Sequence, residues 1–352
     1  METVVAIPVR DEAKRIGNCL AALSRQSVSA GHVVLLLNNC TDGTADVVES
    51  LPKAAHQLHM IERQLEGSSA CAGVARGLAM DYAASLVKHG IILTTDADGE
   101  VPPDWIELNL QAVEEGADAV CGRAVIDPIE ALLIPQHLHD DDAREAAYGQ
   151  LLDQIRSVIL PDPADPWPRH QEDSGASLAI TASMFRRIGG LPHLPSGEDR
   201  ALIESLRMID ARVRHDPQIS VVVSGRIEGR AGGGMADTIR RRIIRQDEFV
   251  DDRIEPAWLA FRRLLLKGHF GFLRRDSAGL HEFAKLMAVA PALMMDAVAA
   301  RYFGRGWSRI EKASPLLSPR RVRFADLPRE TEIAQGILSL VSNRYTAELA
   351  AA

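Results

Sequence analysis

The sequence predicts an α/β protein with a mixed, mainly parallel sheet and a helical C-terminal region. Three observations predict it. Short, continuously apolar runs recur through the first half: Val4-Val5-Ala6-Ile7-Pro8, Val33-Val34-Leu35-Leu36-Leu37 and Ile91-Ile92-Leu93. They alternate with stretches of helical spacing. Strands that are apolar on both faces must be covered on both faces, as helix-flanked parallel sheets are. Beyond Met235 the pattern turns helical and basic to the end.

Taken in order, residues 4–8 predict the first strand and residues 12–25 a helix, with Ile16, Leu20 and Leu23 on one face. Residues 33–37 predict the second strand. Thr41-Asp42-Gly43-Thr44 turns the chain into a helix carrying Val47, Val48 and Leu51. A short third strand at 60–63 precedes an Ala-rich helix over 67–86. The fourth strand, 91–95, is stopped by Gly99, Pro102 and Pro103. A helix over 105–113 follows, with Trp105 as a core residue, then a fifth strand over 119–125. Residues 127–171 are acidic and Pro-rich and predict an insertion, with one helix near 143–160 and an extended loop after it. A strand at 177–182 runs into a helix at 182–188, stopped by Gly189-Gly190. A helix over 199–210 and a β-branched strand over 219–224 complete the pattern. The expected domains are 1–230, α/β with the insertion at 127–171, and 235–352, a helical extension.

The 352 residues suffice for one large domain or two ordinary ones, and 46% hydrophobic content supplies a large core. A net charge of -8 speaks against a general nucleic-acid binder. Cys19, Cys40, Cys71 and Cys121 are widely scattered and form no Cys-x-x-Cys pair, which suits reduced thiols and a cytoplasmic location. The N-terminus lacks a basic n-region and reads as a strand. The late apolar stretch 286–300 contains Pro291 and Asp296, too short and interrupted to span a bilayer.

The functional signal is Asp96-Ala97-Asp98 at the end of the fourth strand. Two carboxylates there make a hard-oxygen site for Mg²⁺ or Mn²⁺ with substrate phosphates. Open α/β sheets bind ligands at that end of the strands. Taken alone, Asp-x-Asp also matches a solvated turn or a helix cap.

Four blocks together resemble the family 2 glycosyltransferases with the GT-A fold. They are Ala6-Ile7-Pro8-Val9-Arg10-Asp11-Glu12, Asn38-Asn39-Cys40-Thr41-Asp42-Gly43-Thr44, Asp96-Ala97-Asp98, and Gly189-Gly190 with Gly197-Glu198-Asp199. The resemblance covers residues 1–230. It implies a nucleotide-diphospho-sugar donor, a divalent metal, hexosyl transfer to an acceptor hydroxyl and inversion at the anomeric carbon. It places Pro8, Val9, Arg10 and Glu12 against the nucleoside, although Asp11 and Glu12 also suit a helix cap. Asn38 falls where the family often carries an Asp facing the base, and an amide still accepts and donates. Asp42 reads as a turn residue and cap. Arg76 matches an arginine near the diphosphate; the alternative is a solvated helix arginine. Asp98 corresponds to the metal ligand, with Asp96 on the ribose or acting through water. Glu198 and Asp199 match the second acidic pair, with Asp199 as general base and Gly197 allowing close approach of the sugar. In place of the histidine that often completes the metal site stands Ser224, and His215 lies before the expected strand.

Other clusters stay open. Gly229 to Gly234, with Arg240, Arg241, Arg242 and Arg245 after it, suits a loop closing over a diphosphate or a hinge into a basic helix. His137, His139 and Asp140 to Asp142 suit a metal site or an exposed acidic loop capped at Asp142. His170 and Asp173 are acceptor-contact candidates. The acceptor is a small molecule, a glycan or a lipid-linked group. The C-terminal helices suit a lid, a homodimer interface or contact with an anionic membrane. A nucleotidyltransferase is the alternative enzyme, but residues 8–15 lack its Gly-rich loop. A catalytically weak glycosyltransferase-like binding protein is the non-enzymatic alternative.

Overall fold

A computed structural model describes residues 1–227, 229 and 234–351, with the backbone alone over 344–351. The chain forms two compact units. The first comprises 1–135, 172–206 and 211–244; the second comprises 136–171, 207–210 and 245–352.

The elements run β1 (Glu2–Val9), α1 (Ile16–Ser24), β2 (His32–Asn38), α2 (Thr44–Ser50), β3 (Gln57–Arg63), α3 (Ala72–Leu86), β4 (Gly90–Thr94), α4 (Trp105–Glu114), β5 (Ala119–Ile126) and α5 (Pro128–Ala131). Then come α6 (Gln136–Ile159), β6 (Leu178–Thr181), α7 (Ala182–Ile188), α8 (Glu198–Arg207), β7 (Val213–Val223) and α9 (Met235–Ile244). The helices α10 (Ala257–Leu273), α11 (Leu280–Leu286), α12 (Pro291–Val298), α13 (Phe303–Ala313) and α14 (Leu327–Ala351) complete the chain.

The first unit is built on one seven-stranded sheet in the order β3-β2-β1-β4-β6-β5-β7. The strands are parallel except β6, which is antiparallel to both β4 and β5. The apolar runs are buried as their composition requires, with Val33, Val34 and Leu35 wholly inside. Trp105 packs in this core, and its indole N–H donates to the Ser177 hydroxyl at 3.0 Å.

This topology gathers the site. The chain leaves β1 toward β2 on one side and returns through β4 on the other, which makes a switch point at their carboxyl ends. Because β6 runs the other way, Leu178 at its start pairs with Thr94 at the end of β4. The 172–177 loop therefore arrives beside Asp96. β7 is parallel to β5, so Ser224, Gly225 and Arg226 emerge at the same edge.

Several expected boundaries move. Backbone N–H groups of Arg15 and Ile16 bond the Glu12 carbonyl and Asp11 has φ 52°, so the regular helix α1 starts at Ile16, not at 12. A 3₁₀ turn at Gly67–Ser69 precedes α3, which starts at Ala72. The helix expected over 199–210 spans Glu198–Arg207, and the chain then turns through Asp210 at φ 57°. β7 begins at Val213, so His215 lies inside the strand. The insertion helix starts at Gln136, which places His137, His139 and Asp140 to Asp142 in its first turns and not in a loop. Of the Gly-Arg segment, residues 230–233 lie outside the described residues.

The second unit is helical. Tyr148, Leu152 and Ile155 of α6 pack with Val250, Ile254, Leu327 and Ala334. Phe270, Met287, Met294 and Trp307 form a second cluster. Among the described residues no helix is long and apolar enough to cross a membrane.

Candidate active site

Two charge networks meet the carboxyl edge of the sheet. The first is centred on Arg76, which α3 carries and which is 5% exposed. Its Nε donates to Glu198 at 3.1 Å and its Nη2 to Asp96 at 2.6 Å. Its Nη1 donates to the Thr94 hydroxyl and to the Gly175 carbonyl, each at 2.8 Å. Burial opposes the guanidinium charge, and the Asp96 and Glu198 carboxylates outweigh it, so its pKa is raised. Arg76 is thus neither a solvated helix residue nor a free cation. It ties β4, the 172–177 loop and the start of α8 together. Gly175 is required at this contact: a Cβ there would lie 2.6 Å from the Arg76 Cζ.

Asp199 lies in the first turn of α8, beside Glu198. Its Oδ2 accepts the Gly175 N–H at 2.9 Å and its Oδ1 the Arg200 N–H at 2.7 Å. Gly197 precedes the pair at φ 73°, in the left-handed region, with open space where a Cβ would stand. A carboxylate at a helix N-terminus faces partial positive charge. Glu198 is buried against Arg76, while Asp199 remains partly exposed.

The second network is centred on Arg226, just after β7. Its Nη1 and Nη2 donate to the two Glu12 oxygens at 3.0 and 2.6 Å. The same Nη2 lies 3.1 Å from Asp98 Oδ2. Burial pushes the Asp98 carboxyl up to about 6, and the charges of Asp96 and Glu12 add to this, against Arg226 and Arg15. Glu12, Asp96, Asp98 and Glu100 all push the buried Cys19 thiol up, after burial itself. This corner of the sheet therefore holds more negative charge than Arg226 cancels.

Ser224 is bound elsewhere. Its hydroxyl donates to Glu130 at 2.9 Å, and the Gly225 N–H and Arg15 Nη2 donate to the same carboxylate at 2.6 and 2.7 Å. His215 is also remote in role: its Nε2 lies 3.0 Å from Asp173 Oδ1, inside the sheet. Cys121 pairs with His215 in register, and ligand atoms of Cys121, Asp173 and His215 lie within 4.8 Å of one another. All three are buried.

At the end of β1, Pro8 and Val9 close the strand, and the Arg10 Nη1 donates to the Ala70 carbonyl at 3.0 Å. Asn38 ends β2 and is 1% exposed, yet neither its Oδ1 nor its Nδ2 has a hydrogen-bond partner among the described residues. Buried amides are almost always bonded. A separate cavity of about 190 Å³ is lined by Leu37, Cys40, Thr44 and Glu62, and Asn38 is not part of its lining. Asp42 is a cap. Burial works against its charge, but hydrogen bonds from the Thr44 hydroxyl and the Ala13 and Thr44 N–H groups outweigh it and hold its carboxyl below the usual range.

Residues 4–165 match the family model described as Glycosyl transferase family 2. The first half of the chain is thus similar to that family. The chain is also similar to solved structures of low identity. The crystal structure of S. aureus TarS 1-349 in complex with UDP has a TM-score of 0.47 at 14% identity, covering 99% of this chain and 92% of that one. The mannosyltransferase PcManGT from Pyrobaculum calidifontis, in complex with GDP-Man and Mn2+, has a TM-score of 0.46 at 17% identity, covering 98% and 87%. Glucosyl-3-phosphoglycerate synthase from Mycobacterium tuberculosis has a TM-score of 0.40 at 12% identity, covering 71% and 81%.

Of the residues expected at the site, Glu12, Arg76, Asp96, Asp98, Glu198 and Asp199 all fall in these two networks. Sequence reasoning missed Arg226, Gly175 and Glu130. Arg226 stood beside Ser224, where a metal histidine was sought. A cation two residues on from a missing ligand was the available signal.

Proposed function

We propose that the first unit moves a hexosyl group from a nucleotide-diphospho-sugar to an acceptor hydroxyl, with inversion at the transferred carbon and with Mg²⁺ or Mn²⁺ held at Asp98. The observation that carries this reading is the shared hub: one buried arginine, Arg76, fixes Asp96 of the metal corner and, through Gly175, Asp199 of the acceptor side. Donor and acceptor chemistry are positioned by one strut.

The residues fit a hard divalent ion. The donors are carboxylate oxygens, and the excess negative charge of Glu12, Asp96, Asp98 and Glu100 is what such an ion relieves. When bound, it offsets the negative charge of the leaving diphosphate. Asp98 is its ligand, and Asp96, on Arg76, orients the ribose side. Arg226 gives the same corner a guanidinium suited to phosphate oxygens. Asn38 offers its two unpartnered amide atoms to the base, and Pro8, Val9, Arg10 and Glu12 form the nucleoside loop. Gly197 leaves room for the sugar. Asp199 takes the acceptor proton as the hydroxyl attacks the anomeric carbon. Glu198 holds Asp199's turn through Arg76.

The test is a thermal-shift screen of UDP-, GDP-, ADP- and dTDP-sugars with and without Mn²⁺, followed by transfer assays. Binding of a donor raises Tm by linkage. Asp98→Ala and Asp199→Ala each abolish transfer while the protein stays folded by circular dichroism. Full transfer by Asp199→Ala removes the base assignment. Pyrophosphate release from an NTP and a sugar phosphate replaces this reading with nucleotidyl transfer.

A further inference from the structure

The second unit gathers cations at the meeting of four segments. On α6, Asp153 and Arg156 lie three residues apart, and Leu160 follows four residues on, so all three share a face. Arg169, buried in the loop after α6, pairs with Asp153 at 3.3 Å and with Asp165 at 2.9 Å. On α10, a Cβ at Gly268 would touch Leu160 Cδ1 at 3.8 Å, which sets the Lys267 turn against the end of α6. The Lys267 ammonium lies 5.9 Å from the centre of the Phe303 ring, at the start of α13. That helix start is closed by Asp210, which accepts the N–H groups of Phe303 and Gly304 at 2.6 Å each. The Arg207 carbonyl sits where a Gly304 side chain would begin. These contacts bring together the segments of α6, the following loop, the end of α8 and α10 that carry Arg156, Arg169, Arg207 and Lys267, and the charges act on one another: Arg169 and Arg207 on Arg156, and Arg156 and Arg207 on Lys267.

Of the nearby acids, Asp162 is exposed and accepts the Ala164 N–H at 3.0 Å, and the others are engaged by arginines. Asp153 and Asp165 bind Arg169. Glu311 binds Arg263 at 2.7 Å, which also holds Glu255. Arg156 and Lys267 have no hydrogen bond or ion pair with a carboxylate among the described residues. Burial, with the charges of Arg169 and Arg207, pulls Arg156 down to about 10, and Asp153 and Asp165 do not cancel it. Burial and Arg156 pull Lys267 down to about 8. An amine relieves such a position by losing its proton, but a guanidinium keeps its charge and needs an anion.

We propose that Arg156 and Lys267, with Arg169 and Arg207 behind them, form a binding site in the second unit for a tetrahedral oxyanion of phosphate type. A guanidinium offers paired N–H donors to two phosphate oxygens and an ammonium adds a point charge, so one dianion satisfies two cations that no carboxylate pairs. The site uses no residue of the donor site and does not rest on the transferase reading.

The experiment uses the full chain in buffer free of phosphate and sulfate, at ionic strength fixed with NaCl. Inorganic phosphate and methyl phosphate are titrated by calorimetry and thermal shift. Wild type shows saturable binding with a rise in Tm. Tighter binding of methyl phosphate assigns the site to an esterified phosphoryl group, and tighter binding of inorganic phosphate assigns it to the free ion. Arg156→Gln and Lys267→Gln each weaken the affinity by at least about tenfold, as loss of a charge-assisted contact does. Without phosphate, Arg156→Gln is at least as stable as wild type, because it removes an uncompensated charge; with saturating phosphate the order reverses. Wild-type Tm unmoved by phosphate, or both variants responding to it as wild type does, overturns the proposal.

Discussion

Arg226→Gln tests the charge balance around Glu12 and Asp98 most directly. The substitution removes a guanidinium that holds Glu12 through two hydrogen bonds and touches Asp98. The side chains are 22%, 6% and 15% exposed for Arg226, Glu12 and Asp98. Removing one partner of a fully buried ion pair costs about 3–5 kcal/mol, and partial exposure of Arg226 reduces this to roughly 2–3 kcal/mol. At about 2–4 °C per kcal/mol for a unit of this size, Tm falls by roughly 5–10 °C in metal-free buffer. Differential scanning fluorimetry with EDTA reads this fall. Repeated with Mn²⁺, the same scan shows a larger rise for the variant than for wild type, because Glu12 and Asp98 have lost their counter-ion. Arg226→Lys recovers part of the stability, since an ammonium keeps the charge but not the paired donors. A variant Tm within about 1 °C of wild type without metal would refute the reasoning. So would an identical Mn²⁺ response in the two proteins.

Two further outcomes follow from the same geometry. Gly175→Ala drives a methyl group into the Arg76 guanidinium and loosens both Asp96 and Asp199, so stability falls by about 1–3 kcal/mol and transfer falls further than stability explains; chemical denaturation and initial rates measure the two. Lys267 is held down at about 8 by burial and Arg156, against 10.5 when unfolded. The unfolded chain therefore binds more protons between pH 8 and 10.5, so stability contributed by this group rises across that window, by roughly 3 kcal/mol at most. Urea denaturation of wild type and Lys267→Met across pH 7.5–10 isolates the term: the wild-type gain is missing in the variant.

Much of the architecture was legible because burial on both faces of a strand leaves a continuous apolar run. Val33 to Leu37 could be assigned without a partner strand. Helix boundaries were less legible. The helical pattern at residues 12–25 carries on through Glu12 to Arg15, where backbone bonds to the Glu12 carbonyl and the φ of Asp11 delay α1 until Ile16. The start of α6 was hidden by His137 to Asp142, whose polarity reads as loop until the rest of the helix extends it. Asp141 is polar in sequence yet 3% exposed in the fold.

The sequence by itself determined the alternating α/β order, the position of Asp96 and Asp98 at a strand end and the pairing of Glu198 with Asp199 at a helix start. These are local: strand termination, helix capping and charge spacing act over a few residues. Only the tertiary structure decided what the carboxylates face. The reversal of β6 carries Gly175 to Asp96, and the parallel run of β7 carries Arg226 to Glu12 and Asp98, across 214 residues in the case of Glu12. Arg76, expected near the diphosphate, is held by Asp96, Glu198, Thr94 and Gly175 for the same reason. A side chain's charge is written in the sequence, but its counter-ions are set by which strand ends the sheet order brings together.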